Sequence, residues 1–323
     1  MPMFLDRVRA TINRSSLIAP RDRIIAGVSG GPDSTALLLV LKALSAQYKL
    51  TLHAAHVDHM LRKTSKRDAR FVKDLCAKLD IPVTIRKIDI MRRSTGRSIE
   101  ETARDERFAF FCTLAKKHKA DTIALGHNLD DQAETVLMRL LRGSGLYGLS
   151  AIMPKRIING HTVIRPLLDV RRREIDAFLR RRRITPCIDE SNREDIYLRN
   201  RLRHHLLPLL EKNYNRNMTA ILSNTARAAA DDYDYLINAA QRTAAALGNR
   251  IPLAKIKALH PAMRRLVLRL NFQRLKGDTR TLAFRHILEL EDLISSRPQN
   301  SIVDLPSGIS VVKRRTSLRF YKR

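Results

Sequence analysis

The chain is poor in cysteine. Only Cys76, Cys112 and Cys187 occur in 323 residues, far apart and without a Cys-x-x-Cys pair. That spacing excludes the usual signatures of zinc sites, iron–sulfur clusters and disulfide frameworks, and it fits a reduced interior. No apolar run is long enough to cross a membrane. The first residues, Met1-Pro2-Met3-Phe4-Leu5-Asp6-Arg7, lack the apolar stretch of a signal peptide. The expectation is a cytoplasmic protein with no membrane partner. Repeats and low-complexity tracts are also missing. Negative charge is the other shortage: 32 Asp and Glu stand against 61 Lys and Arg, a formal net charge of +29. Such a field attracts polyanions and points to nucleic acid without specifying a fold. Apolar content is ordinary, so a chain of this length can build two cores.

What is present is organised around Ser29-Gly30-Gly31-Pro32-Asp33-Ser34. A short apolar run, Ile24-Ile25-Ala26-Gly27-Val28, precedes it and reads as a buried strand. Thr35-Ala36-Leu37-Leu38-Leu39-Val40-Leu41 follows and reads as a buried helix. Strand, glycine-rich turn and helix make a phosphate cradle, because glycines let the backbone approach an anion and the helix N-terminus presents free N–H groups. No Gly-Lys-Ser/Thr follows, so this is not a Walker A loop. A cradle without its own lysine suits a pyrophosphate that will leave. Asp33 is a candidate magnesium ligand, since hard cations prefer carboxylate oxygen. Helix capping by Ser29 and Asp33 is the plainer alternative, but a cap needs neither glycine.

The alternation of strands and helices up to about residue 185 predicts an α/β domain with a parallel sheet. Strands are expected at 23–28, 51–57, 83–88, 121–126 and 161–165. Helices are expected at 34–46, 65–80, 99–119, 130–142 and 171–183, the third opened by a capping box of Ser98 and Glu101. Residues 1–20 read as a short helix and a turn. The segment 142–148 is punctuated by glycines and reads as a surface loop. Periodicity is lost over 186–198 and resumes at 198–212, with a kink or break at Pro208. Helices at 216–247, 261–274 and 281–295 predict a smaller, mainly helical second domain beyond a boundary near 215. Short strands at 302–305, 309–312 and 318–321 close it.

Four further constellations carry chemistry. Gly126-His127-Asn128-Leu129-Asp130-Asp131-Gln132-Ala133-Glu134-Thr135 follows a strand and opens a helix, which sets it beside the first loop at the C-terminal edge of the sheet. Asp131 and Glu134 share a helix face. Carboxylates beside a phosphate site either help bind magnesium or hold an amine; acids also simply favour a helix N-terminus. His56-Val57-Asp58-His59 reads as a strand end lining the nucleotide pocket in preference to a metal site. Arg104 and Arg107, in Ala103-Arg104-Asp105-Glu106-Arg107-Phe108, can grip phosphates from one face or pair with Glu100 and Glu101 on a solvated one. Arg171-Arg172-Arg173, Arg180 to Arg183 and Tyr197-Leu198-Arg199-Asn200-Arg201-Leu202-Arg203 concentrate positive charge, which in so basic a chain favours phosphate contact.

Taken in order, these pieces, with Leu-Arg-Gly-Ser-Gly (141–145), Arg-Pro-Leu-Leu (165–168) and Asp-Glu-Ser-Asn (189–192), resemble the tRNA(Ile)-lysidine synthetases, a branch of the PP-loop ATP pyrophosphatases. The likeness is close over 20–215 and looser beyond. The first motif alone names only the superfamily; the ordered set is specific. The resemblance implies a ligase that activates carbon 2 of the wobble cytidine of an isoleucine tRNA (CAU anticodon) with ATP, after which L-lysine displaces AMP. It implies a PP-loop catalytic domain over 1–215 and a tRNA-binding domain over 216–323. Ser29, Gly30, Gly31, Pro32, Asp33, Ser34, His56 and His127 would bind ATP, with Mg2+ on Asp33. Asp131 and Glu134 would receive the lysine ammonium, and Arg104 or Arg107 would stabilise the adenylated intermediate. Arg171, Arg173, Arg199, Arg201 and Arg203 would contact tRNA, and a homodimer is a further expectation. Asn128 stands where many relatives have a second histidine, and Met60 where many have glycine. Longer members carry a further C-terminal domain. The competing expectations are a PP-loop tRNA thiolase, which usually needs paired cysteines, and a nucleotide- or RNA-binding module without catalysis.

Overall fold

The computed structural model describes residues 4–60, 65–94, 96, 98–187, 195, 197–248 and 250–323. The motif at 189–192 lies outside them. The chain divides into two compact units, Met1–Ala229 and Ala230–Arg323. The division falls inside one helix, beyond the boundary near 215 that composition suggested, because the first turns of that helix pack with the first unit.

The first unit is built on a six-stranded sheet. Its strands are β1 (Arg23–Gly27), β2 (Thr51–Asp58), β3 (Val83–Lys87), β4 (Thr122–Ala124), β5 (Lys155–Ile158) and β6 (His161–Ile164), in the order β3-β2-β1-β4-β6-β5. All neighbouring pairs are parallel except β5 with β6. The five expected strands are present. The additional edge strand β5 pairs through a hairpin turned at Asn159 and Gly160, both with positive φ.

The helices are α1 (Phe4–Arg14), α2 (Pro32–Tyr48), α3 (Ser65–Lys78), α4 (Ile90–Arg93), α5 (Ile99–Lys117), α6 (Leu129–Leu141), α7 (Leu146–Leu149), α8 (Arg172–Arg181), α9 (Leu198–Arg201) and α10 (Leu207–Asn213). Alternation along β1 places helices on both faces. Ile24 and Ala26 point into a core with α1, α2, α3 and α8, while Ile25 points into one with Phe110, Phe111 and Leu114 of α5. Ser98 precedes α5 but makes no side-chain cap bond, so the expected capping box is not formed there. The kink anticipated at Pro208 takes the form of a π turn, Leu202–Leu206, in which Leu207 N–H reaches back to Leu202 O. A wider turn accommodates a proline that cannot donate to the preceding turn.

The second unit contains most of α11 (Met218–Leu247), then β7 (Arg250–Pro252), α12 (Leu253–Ala258), α13 (Pro261–Lys276), α14 (Phe284–Ser295), β8 (Ile302–Leu305), β9 (Ile309–Lys313) and β10 (Ser317–Lys322). Its four strands form an antiparallel sheet in the order β7-β10-β9-β8. Phe272, Leu268, Ile287, Leu290, Val311 and Leu318 fill its core. The short β7 and α12 carried no legible periodic signal.

Candidate active site

Strand order places the site. From β1 the chain builds outward through β2 and β3, then returns to lay β4 on the other side of β1. The loops after β1 and β4 therefore diverge and leave a crevice at the C-terminal strand edge, where open α/β sheets bind ligands. A cleft of about 940 Å³ lies there. Its wall includes Ser29, Asp33, Ser34, His56, Arg107, His127, Asp131, Glu134, Arg199 and Arg203.

The first loop is held by its own hydroxyls. Ser29 N–H donates to Ser34 Oγ at 3.0 Å, and Ser34 Oγ donates to Gly31 O at 3.0 Å. Gly30 has φ +91°, a conformation that favours glycine. The second loop can approach only because of Gly126. A Cβ there would lie 2.9 Å from the Asp33 carbonyl carbon and oxygen and 3.0 Å from Ser34 N. The start of α2, with the unpaired N–H groups of a helix N-terminus, is thus pressed against the β4–α6 loop.

Asp33 accepts hydrogen bonds from Asn128 Nδ2 and Arg172 Nη1, both at 2.9 Å. Burial nevertheless pushes its carboxyl up to about 6; the Arg172 guanidinium opposes this, and the nearby Asp131 adds to it. Asp131 has two tasks. It closes a capping box with Asn128, each accepting the other's backbone N–H (2.9 and 3.0 Å). Its Oδ1 also accepts from Arg199 at 3.1 Å and Arg203 at 3.3 Å. Glu134 is fully buried and bracketed by the same arginines, whose Nε atoms both lie 2.6 Å from its two oxygens. Burial works against the charge on Arg199 and Arg203, but Asp131 and Glu134 outweigh it and hold both pKa values above normal. The site therefore carries two carboxylates matched by two guanidiniums.

His56 is buried at the end of β2, its Nδ1 2.8 Å from Val28 O. His127 is held at about 3 by burial, against the attraction of Asp131 and with Arg165, Arg199 and Arg107 adding to the fall. It is a neutral imidazole at physiological pH, and its Nδ1 has no partner. Arg107 stands on the cleft wall and Arg104 does not; burial, then Arg104, pushes the Arg107 pKa down. The tRNA candidates separate. Arg173 and Arg201 are exposed. Arg171 is largely buried and donates to Glu211 at 3.0 Å. Arg199 and Arg203 close over the carboxylates within the cleft instead of facing outward.

Two residues were missed by sequence. Asn128 was given no role, although Asn before Leu-Asp-Asp is an N-cap signal. Arg172 stood among three arginines, and only the fold selects the one that reaches Asp33. Among the described residues, no group of three His, Cys, Asp or Glu can hold a metal by itself.

A family model described as the PP-loop domain matches residues 5–210, and one described as the TilS substrate binding domain matches 251–319. The tRNA(Ile)-lysidine synthase of Clostridioides difficile (strain 630) is 36% identical over 326 residues, covering 98% of this chain and 70% of that protein. The tRNA(Ile)-lysidine synthase of Geobacillus kaustophilus is 38% identical over 323 residues, covering 96% and 68%. Among solved structures, the U34-tRNA thiolase NcsA from Methanococcus maripaludis with its [4Fe-4S] cluster superposes with a TM-score of 0.60 at 19% identity. The match covers 69% of this chain and 76% of that one, a likeness of fold alone.

Proposed function

The chain belongs to the tRNA(Ile)-lysidine synthase family, and we propose how its cleft carries out that reaction. The protein is a carbon–nitrogen ligase acting on tRNA, with a PP-loop that binds ATP. In the first step O2 of the wobble cytidine attacks the α-phosphorus of ATP, and pyrophosphate leaves. In the second, the side-chain amine of L-lysine attacks carbon 2, the bond to the adenylate oxygen breaks, and AMP leaves with that oxygen. The product, lysidine, changes decoding from AUG to AUA.

The observation that carries this assignment is the meeting of a phosphate cradle and a buried carboxylate pair in one cleft. The Ser29–Ser34 loop and the start of α2 receive the pyrophosphate. His127, neutral, donates a hydrogen bond without adding charge. Arg107, on the cleft wall, stabilises charge that develops on the adenylate. Magnesium fits Asp33: its carboxylate lies close to Asp131, a charge pair that a cation would relieve, and magnesium is commonly held by one or two carboxylates plus substrate phosphates. When bound it neutralises the phosphate oxygens. Arg172 holds that negative charge when no cation does.

Asp131 and Glu134 receive the lysine ammonium and then the proton that the amine must shed to attack. Arg199 and Arg203 act as placeholders for that cation, turning toward phosphate or the lysine carboxylate as it enters. Residues 216–323 supply tRNA contacts, the part of the chain where the substrate binding domain model matches. A thiolase reading is less well supported. Cys76 and Cys112 pack on opposite faces of the sheet, and burial raises all three thiol pKa values. The test is incubation with isoleucine tRNA, ATP and labelled lysine, followed by nucleoside mass analysis. Pyrophosphate release that needs tRNA, repeated turnover that also needs lysine, and label in the nucleoside are the expected result; release without tRNA, or a nucleoside without label, overturns the proposal.

A further inference from the structure

No Asp or Glu stands between Glu134 and Asp169, while Arg139, Arg142, Lys155, Arg156 and Arg165 do. The fold gathers much of this acid-free stretch on one part of the first unit. The end of α6 and the short α7 form one piece: Ser144 N–H donates to Arg139 O at 3.0 Å, and Gly148 packs so tightly on Ser144 that a Cβ would lie 2.2 Å from the serine Cβ. Arg156, on edge strand β5, joins that piece by donating to Tyr147 Oη at 2.9 Å. Large apolar side chains are left open here. Leu141 is 61% exposed, Tyr147 48% and Ile157 73%.

The ridge is linked to the catalytic cleft. Arg165 is buried behind it and donates to Met153 O at 2.6 Å. Burial holds its pKa at about 10, and Arg156 and Arg104 press it further down. Arg165 and Arg107 both act on His127 in the cleft wall. The cations Arg156 and Arg165 therefore lead from Tyr147 on the ridge inward toward the neutral His127. Arg139 in the last turn of α6 and Arg142 at its C-cap stand five and eight residues past Glu134, about 7.5 and 12 Å of helix rise. That is within a few nucleotides of the reacting base.

We propose that the ridge formed by the end of α6, α7 and β5 is an RNA-contact surface. It takes unpaired nucleotides next to the modified cytidine, with phosphates on Arg139 and Arg142 and a base stacked on Tyr147. This rests on the tRNA substrate read above. Cations and an exposed aromatic, drawn from a stretch of sequence that holds no Asp or Glu, are the chemistry of single-stranded nucleic acid binding. A second copy of the chain is disfavoured as occupant, because two such ridges would bring like charges together and Lys155 and Arg156 guard the strand edge against pairing.

The probe is an isolated anticodon stem-loop of isoleucine tRNA, bound by the full chain over a range of salt. Each phosphate contact contributes about 0.7 to the log–log salt slope for a single strand, so Arg139→Gln with Arg142→Gln should flatten it by about 1.4. Tyr147→Ala should weaken binding about 5- to 150-fold, the range for loss of one stacked base, and Tyr147→Phe should keep most of the affinity. ATP affinity should stay at the wild-type value in all of them. If Tyr147→Ala fails to fold, the exposed arginine pair carries the test. Unchanged slope and affinity in the double variant, with normal ATP binding, overturn the ridge and leave the function standing. So does a dimer that Ile157→Ser dissolves without loss of RNA affinity. Failure of the wild-type chain to bind any tRNA overturns both.

Discussion

Replacing Asp33 by Asn should separate stability from activity. In the ligand-free fold the Asp33 carboxyl rises from 3.8 to about 6, burial being the main cause. The native unit thus holds a proton between about pH 4 and 6 that the unfolded chain has released, and stability falls as pH rises through that window. The difference corresponds to roughly 3 kcal/mol at neutral pH. Asn cannot ionise, and it can still accept from Asn128, whose Nδ2 lies 2.9 Å from Oδ1. Arg172 loses one partner but keeps Asp176 at 3.0 Å. The variant should therefore be up to about 3 kcal/mol more stable than wild type at pH 7, a shift of roughly 1–2 M in urea midpoint, and the advantage should vanish near pH 4. The chain has no tryptophan, so far-UV dichroism, with hydrogen exchange of α2 peptides to isolate the first unit, is the suitable measurement. ATP-dependent pyrophosphate release should be nearly abolished in the same folded protein, through loss of the charged magnesium ligand. A variant less stable than wild type at pH 7, or a difference that does not change with pH, would refute the electrostatic reasoning. Normal turnover would refute the assignment of Asp33.

Glu134→Gln should raise the lysine KM by about 10- to 100-fold, the loss of a charged hydrogen-bond partner, with little change for ATP; steady-state kinetics in each substrate decides whether the carboxylates serve the amine or the metal. Gly126→Ala should cost roughly 1–3 kcal/mol as an overpacked contact and depress ATP binding further, because its Cβ meets the backbone of Asp33 and Ser34 and not a movable side chain; calorimetry with ATP, beside urea unfolding, measures both. In the second unit, Arg315→Gln with Arg319→Gln should flatten the tRNA salt slope by about 1.4–1.8, since both are exposed. Lys313→Met should instead lower thermal stability and leave the slope unchanged, because Lys313 is buried and donates to Ile294 O and Arg297 O.

The ordered motifs and the apolar runs were enough to determine the α/β class, the five parallel strands, the glycine cradle and the carboxylates of α6. These are local properties. A strand covered on both faces reads as an apolar run, and a backbone that must approach an anion at the start of a helix favours glycine. The same legibility failed where signals were short or shared. Strand β5 has four residues, β7 three and α12 six. Charge density by itself does not distinguish Arg264 and Arg265, which lie against Glu291, or the buried Lys313, from exposed cations such as Arg315.

What only tertiary structure decided is which charges meet. Arg199 and Arg203 read as two of many arginines on a basic helix, but the fold lays α9 and the turn that follows it against Glu134 and Asp131, distant by 65 and more positions in sequence. Arg172, and neither Arg171 nor Arg173, reaches Asp33. Arg107 lines the cleft and Arg104, three residues before it, does not. The physical reason is that a side chain's charge is visible in sequence, while its partner is set by strand order and helix rotation. One step of about 100° around a helix moves an arginine from solvent to a buried carboxylate, and no local pattern records that step.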